Sequence, residues 1–173
     1  MKALTQYINE WKVSGSTVSS INKIQIVNGY DELSKIVKQR YDQNPEILDF
    51  SDLNVSNITN FNKKNIYTNG YYGLFSNLEH TRIINVTGWD TKQVTDMSNL
   101  FWGCIDLEEV IGLKTWDFSS VEVTRWMFFN CWKLEKVDGI EHLKSFNPNN
   151  ILTHDMFAGC RKLEKPKWYK GAK

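Results

Sequence analysis

Three cysteines are the first residues to consider, because thiolates bind zinc, undergo redox reactions and act as nucleophiles. Each lies at the same place in a motif, [L/M]-F-x-[G/N]-C-x-x-L-E, which occurs at residues 100–108, 127–135 and 156–164. The three cysteines are Cys104, Cys131 and Cys160. A degenerate copy at 74–78 has Leu78 in the cysteine position. An apolar equivalent favours three small buried core residues rather than a metal or redox site.

The histidines and carboxylates form no spacing typical of a catalytic or metal site. His80, His142 and His154 lie at unrelated places in the motif. A nucleophile pair of His154 with Cys160 would need a thiol that we expect to be buried and inert. Asp90 and Asp117 follow tryptophans in two copies and are interpreted as turn residues that bond to the backbone. We therefore expect no enzyme activity, no catalytic residue, no metal and no cofactor.

Large aromatic side chains fall at motif positions whose polarity varies between copies. Trp126 corresponds to Asn99 and Asp155, and Trp132 corresponds to Ile105 and Arg161. Variable positions are expected to face solvent, and exposed Trp and Arg are frequent anchors of protein interfaces. The predicted protein-binding residues are Trp102, Arg125, Trp126, Phe129, Trp132, Lys133, Tyr71 and Tyr72. The alternative is that these rings pack against neighbouring parts of the fold.

The C-terminus is a second candidate site, because residues 161–173 hold six basic residues against one Glu, a net charge of +5. Basic and aromatic side chains together bind single-stranded nucleic acid through phosphate contacts and base stacking. The predicted contacts are Arg161, Lys162, Lys165, Lys167, Trp168, Tyr169 and Lys170. The alternative is a solvated tail whose rings cover the end of the fold.

Two periodicities predict the elements that position these residues. Phe75, Phe101, Phe128 and Phe157 recur at steps of 26, 27 and 29 residues, within the range of leucine-rich repeats. Within a copy, apolar residues recur at every third position, which favours a chain that keeps turning one residue in three inwards. We predict an α/β repeat fold, a short leucine-rich-repeat-like solenoid of about four coils of 26–29 residues, each with a short strand and a short helix.

Turn signals lie between the two halves of each copy. Residues 94–103 have capping residues, helical apolar spacing and a terminal Gly103, which predicts a helix of one or two turns. Asn77, Asn130 and Gly159 occupy the same closing position as Gly103. Asn and Gly adopt the left-handed backbone conformation most readily, so we expect that conformation at all four positions.

These motifs resemble those of the BspA-like leucine-rich-repeat proteins, including the related repeats of mycoplasma-type surface lipoproteins. The resemblance rests on the frame F-x-x-C-x-x-L-x-x-[I/V] and on G-W-D-T-K-Q-V-T-D-M at residues 88–97, and it covers about residues 30–165. It implies a secreted or surface-anchored binding protein that has no catalytic residues.

The predicted organisation is an α/β N-terminal cap, a repeat region and a tail. Residues 1–46 are predicted to hold two helices and a strand. The first helix follows from helical spacing at 3–12 and the strand from alternation at 21–27, and the second helix is capped by Asp31 and ended by Asn44-Pro45. The repeats span 47–165, with an insertion at 62–73 that brings in tyrosines. Residues 166–173 form the basic tail.

Composition limits the function. A net charge of +1 over 173 residues excludes a globally basic nucleic-acid binder, and neither a membrane span nor a secretory signal is evident, so we expect a cytoplasmic protein. The predicted function is non-enzymatic protein–protein interaction by a monomer, as a small intracellular binder from a phage or mobile element that blocks or destabilises a host protein, such as a defence protein. The alternatives are an extracellular surface adhesin of a bacterium whose export signal is missing, and a single-stranded nucleic-acid binder.

Overall fold

The computed structural model describes residues 24–64, 71–145 and 155–169. These residues form one α-helix, α1 (Tyr30–Gln43), and short 3-10 helices at Leu113–Thr115 and Ile140–Ser145. The strands are β1 (Gln25–Ile26), β2 (Ile47–Asp49), β3 (Leu53–Asn54), β4 (Asn62–Lys64), β5 (Tyr71–Gly73), β6 (Ile83–Asn85), β7 (Glu109–Ile111) and β8 (Lys136–Val137). The helix predicted at 3–12 lies outside the described residues.

The strands belong to three small sheets. The largest is parallel, in the order β2-β6-β7-β8, and it pairs Ile83 with Glu109 and Glu109 with Lys136. A second parallel sheet joins β1 to β3, and β4 pairs antiparallel with β5 inside the predicted insertion, with Lys63 opposite Tyr72. The strands are only two or three residues long, so side-chain packing rather than strand pairing must supply most of the stabilisation.

The prediction of a leucine-rich-repeat solenoid is wrong. The structure has mixed parallel and antiparallel sheets and a single α-helix in its described part, where the prediction required a short helix in every coil. The segment 94–103, predicted as a one- or two-turn helix, has an isolated β-bridge at Asp96 and turns at 98–103. The helix α1 is the one predicted to be capped by Asp31, but its N-cap is Gly29 and Asp31 lies in its first turn. The helix buries Leu33 and Val37 against the core.

Left-handed residues explain why these segments do not become helical. Within 124–131 the backbone closes by bonds to the third residue back, as in the N–H of Phe129 that donates to the carbonyl of Trp126 at 3.1 Å. Trp126 and Asn130 both have positive φ, of 57° and 59°. A right-handed helix cannot propagate through such residues, so its bonds to the fourth residue back do not form.

The core is organised by a stack of aromatic rings. We call Phe75, Phe101, Phe128 and Phe157 the phenylalanine ladder. Each of its rings is fully buried, and successive ring centroids are 5.3, 5.0 and 5.4 Å apart with interplanar angles of 11°, 8° and 12°. Beside the ladder, Trp89 and Trp116 stack at 6.0 Å. Offset stacking of large buried rings gives more stabilisation than their area alone.

The three-residue period seen in the sequence matches the burial in the structure. From Phe101 onwards, every third residue is buried: Phe101, Cys104, Leu107, Val110, Leu113 and Trp116. The residues in the other two phases are exposed or only partly buried in most cases. Side chains that lie between the core positions therefore line the outside of the same turns.

Candidate functional site

Two tryptophans lie on the surface beside the phenylalanine ladder. The exposed fractions of Trp126 and Trp132 are 38% and 41%, and Phe129 between them is partly buried. These residues keep the three-residue spacing of the buried positions, but in a different phase, and so lie on the outside of one turn segment. We call Trp126, Phe129 and Trp132 the aromatic strip. Its exposure agrees with the motif alignment.

A guanidinium group covers each exposed indole. The Cζ atom of Arg125 lies 5.1 Å from the ring centroid of Trp126, and Cζ of Arg161 lies 5.0 Å from that of Trp132. Such cation–π contacts hold a ring and a cation in a defined arrangement, and each exposed pair contributes about 0.5–1 kcal/mol of stabilisation. Arg161 was assigned to the basic C-terminal segment, whereas the structure brings it to the aromatic strip. The signal was in the sequence, because Trp132 and Arg161 occupy the same motif position.

Trp126 has an unusual backbone conformation. Its φ is 57°, and the equivalent residues Asn99 and Asp155 also have φ of 57°. Asn and Asp adopt the left-handed region readily, but a bulky side chain is an outlier there, and the conformation costs roughly 1–2 kcal/mol. Neighbouring bonds enforce it, since the carbonyl of Arg125 accepts from the N–H of Asn99 at 3.0 Å and the carbonyl of Met127 accepts from the N–H of Phe101 at 2.8 Å.

Trp132 is a suitable reference for the backbone strain at Trp126. It is about equally exposed and also covered by an arginine, but it does not have a positive φ. We expect Trp126→Asn to be about 1 kcal/mol more stable than Trp132→Asn, because asparagine relieves strain only at position 126. Urea unfolding of the two variants beside the wild type measures the difference. Equal stabilities would show that the backbone of Trp126 stores no strain.

Other predicted residues extend the aromatic strip or lie away from it. Trp102 is partly buried and lies at the motif position of Phe129, and the N–H of Gly103 donates to the carbonyl of Phe129 at 2.9 Å. Lys133 pairs with Asp106 at 2.8 Å. Tyr72 is 40% exposed, but it lies on β5 at the Phe75 end of the ladder. The side chain of Tyr71 lies outside the described part of the structure.

The C-terminal rings close the end of the core. Trp168 and Tyr169 lie 6.3 and 5.1 Å from Phe157, the last ring of the phenylalanine ladder. Burial raises the pKa of Tyr169 above its usual range, and the buried indole N–H of Trp168 has no hydrogen-bond partner among the described residues. Lys162 is paired with Glu135 at 2.6 Å, Lys165 and Lys167 are exposed, and Lys170 lies outside the described residues. The two rings are therefore engaged in packing.

The cysteines are buried next to the phenylalanine ladder. Burial raises the pKa of Cys104 to about 12 and that of Cys131 well above its usual range. Each thiol donates to the carbonyl of a ladder phenylalanine, Cys104 to Phe75 at 2.9 Å, Cys131 to Phe101 at 3.0 Å and Cys160 to Phe128 at 3.0 Å. The neutral, hydrogen-bonded thiols of Cys104 and Cys131 are structural groups rather than nucleophiles. A hydrogen bond with Cys131 instead lowers the pKa of Cys160 below its usual range.

We expect Cys104 and Cys131 to resist alkylation in the folded chain at about pH 8, near the ordinary thiol pKa, and all three thiols to react after denaturation. Iodoacetamide labelling with mass readout measures this. Because the pKa of Cys104 is raised from 9.0 to about 12, the folded state also loses stability as the pH rises between these values. Rapid labelling of Cys104 in the native chain would contradict its burial.

Two features were sought in the described part of the chain, a cluster of metal-ligating side chains and a membrane-spanning helix. No group of three or more His, Cys, Asp or Glu side chains there could hold a metal ion. No helix in residues 24–64, 71–145 and 155–169 is long and apolar enough to cross a bilayer.

Comparison with known families gives a match over part of the chain. A family model described as "Mycoplasma protein of unknown function, DUF285" matches residues 69–169, which include the aromatic strip and the whole phenylalanine ladder. No curated protein and no solved structure matches the chain significantly.

Proposed function

We propose that this chain, which belongs to the DUF285 family of mycoplasma proteins of unknown function, binds another protein through the aromatic strip and catalyses no reaction. One observation carries the proposal. Trp126 is exposed in a left-handed backbone conformation that asparagine or aspartate occupies at the equivalent positions. A strained side chain that remains at the surface is best explained by a function of that side chain.

The surroundings of Trp126 suit a binding anchor. Backbone bonds fix the peptides on either side of the residue, and Arg125 covers its indole. A side chain that is already held in place loses little conformational freedom when a partner binds. Tryptophan and arginine are also the residue types that contribute most to protein interfaces. The aromatic strip therefore combines the right side chains with preorganisation.

Two settings for such binding are distinguishable. Unpaired thiols, such as those of the three cysteines, are usual in a reducing compartment and support an intracellular binder that blocks or destabilises a host protein. The finer resemblance of the motifs to BspA-like surface proteins supports the alternative, a surface adhesin. Protease treatment of intact cells separates the two, since only a surface protein is degraded.

Affinity capture with the full chain tests the proposal. The baits are wild type, Trp126→Asn, Trp132→Ile and Ile26→Asn. Asn and Ile are the residues that another motif copy has at the positions of Trp126 and Trp132. Ile26 is 57% exposed on β1 and serves as a control for loss of exposed apolar surface. We expect a protein that wild type and Ile26→Asn retain and both tryptophan variants lose.

Two results would contradict the proposal. If all four folded baits retain the same proteins, the aromatic strip does not bind them. If every captured protein is lost after nuclease treatment, RNA or DNA carries the contact and the nucleic-acid alternative is favoured.

A further inference from the structure

The four arginines of the chain fall into two classes. Arg40 bonds both oxygens of Asp52 at 2.8 and 2.9 Å, and Arg82 bonds both oxygens of Glu108 at 3.1 and 2.9 Å. These are bidentate pairs, the geometry that a planar guanidinium and a carboxylate prefer. In both cases the carboxylate comes from the chain itself.

Arg125 and Arg161 belong to the second class. Each lies over an exposed indole, and neither has a carboxylate partner within residues 24–64, 71–145 and 155–169. Five guanidinium N–H donors in a fixed fork are thus available on each side chain. Both arginines are exposed, so a partner can reach these donors.

We propose that the protein bound by the aromatic strip presents an acidic segment, in which carboxylates bond Arg125 and Arg161 while apolar side chains contact Trp126 and Trp132. This inference rests on the proposed function and adds the chemistry of the partner. It follows from charge complementarity, because Arg40 and Arg82 bond carboxylates bidentately, whereas Arg125 and Arg161 lie over indoles and have no carboxylate partner among the described residues. Charge-assisted bidentate bonds are among the stronger polar contacts that an interface can make.

The neighbouring charges favour a protein partner with individual carboxylates over a nucleic acid with a continuous phosphate backbone. Lys133 and Lys162, which lie close in sequence to Trp132 and Arg161, are already paired with Asp106 and Glu135. Nucleic-acid affinity depends on neutralising many phosphates, whereas acidic side chains here break up the positive surface. Trp168 and Tyr169, the rings expected to stack on bases, pack on Phe157 instead.

A displayed library of random 12-residue peptides, selected on the folded full chain, tests the inference. We expect enrichment of Asp and Glu beside apolar residues. A selected peptide should bind about tenfold more weakly when its carboxylates are replaced by amides, and about tenfold more weakly to the double variant Arg125→Gln, Arg161→Gln. The control Lys92→Gln, Lys114→Gln removes the same charge elsewhere and should keep the affinity within about twofold.

The outcomes separate this inference from the proposed function. Three outcomes would show that the proposal of an acidic partner is wrong. These are a selection that yields no peptides, peptides without acidic enrichment, and peptides that bind the double arginine variant with unchanged affinity. If peptides are lost with Trp126→Asn but not with the arginine variant, protein binding stands and only its acidic character fails. If Trp126→Asn binds them unchanged, the aromatic strip itself is not the site. Displacement of the peptides by a 12-nucleotide oligothymidine at equal concentration would favour nucleic acid and overturn the inference.

Discussion

Phe128→Ala is expected to lower the free energy of unfolding by about 3–5 kcal/mol, the usual cost of truncating a buried phenylalanine. Phe128 is fully buried and stacks on Phe101 at 5.0 Å and on Phe157 at 5.4 Å. Its carbonyl also accepts the thiol hydrogen bond of Cys160. Truncation leaves a cavity between two rings whose backbones are held by hydrogen bonds within and between turns, such as Phe101 N–H to the carbonyl of Met127 and Cys160 N–H to the carbonyl of Phe157, so the gap cannot easily close.

Urea unfolding of Phe128→Ala beside Phe128→Leu measures this effect. Leucine keeps most of the buried volume and should cost no more than about 1.5 kcal/mol. A loss below about 1 kcal/mol for the alanine variant would be too small for a core position and would show that the phenylalanine ladder contributes little to stability.

The second large effect is expected at Gly112, where two constraints coincide. Its φ is 111°, and a Cβ atom would lie 2.4 Å from the backbone nitrogen of Thr87 and 2.6 Å from its Cα. The neighbouring backbone cannot shift easily, because the N–H of Val86 donates to the carbonyl of Ile111 at 2.8 Å and the N–H of Gly112 donates to Asp138 at 2.7 Å. Gly112→Ala must therefore break this close contact between adjacent chain segments.

Gly88 is the matched control, since its φ is 84° but a Cβ atom there would have no heavy atom within 4 Å. Gly88→Ala should cost about 1–2 kcal/mol for the backbone conformation alone, and Gly112→Ala about 2 kcal/mol more because of the steric clash. Thermal or urea unfolding of both variants gives the comparison. Equal losses would mean that the segments around Thr87 and Gly112 are not in close contact.

Local sequence features predicted burial better than they predicted secondary structure. The three-residue spacing correctly identified the core, and Asn77, Gly103, Asn130 and Gly159 all have the left-handed conformation expected of them. The helix prediction rested on the helical apolar spacing of 97, 100 and 101. It was wrong because Asn99, between them, has a positive φ that a right-handed helix cannot contain. In one copy this second left-handed position is occupied by Trp126. Tryptophan rarely adopts the left-handed conformation, so the sequence did not indicate it there.

The candidate site was only partly accessible from the sequence. Comparison of motif copies identified Trp126 and Trp132 as surface residues, because polar side chains occupy the same positions elsewhere. The contact of Arg161 with Trp132 joins residues 29 positions apart, and it depends on how neighbouring motif copies lie against each other. The tyrosines of the insertion were grouped with the aromatic strip. Tyr72 instead lies next to the first residue of α1, because its backbone carbonyl accepts a hydrogen bond from the hydroxyl of Tyr30 at 3.4 Å.

The most direct measurement is the affinity of wild type and Trp126→Asn for one captured protein, with the unfolding free energy determined on the same preparations. The variant should bind at least about tenfold more weakly, as expected for an interface anchor, while its unfolding free energy stays above that of Trp132→Asn. Unchanged affinity in the folded Trp126→Asn variant would contradict the claim that the strained indole is kept for binding.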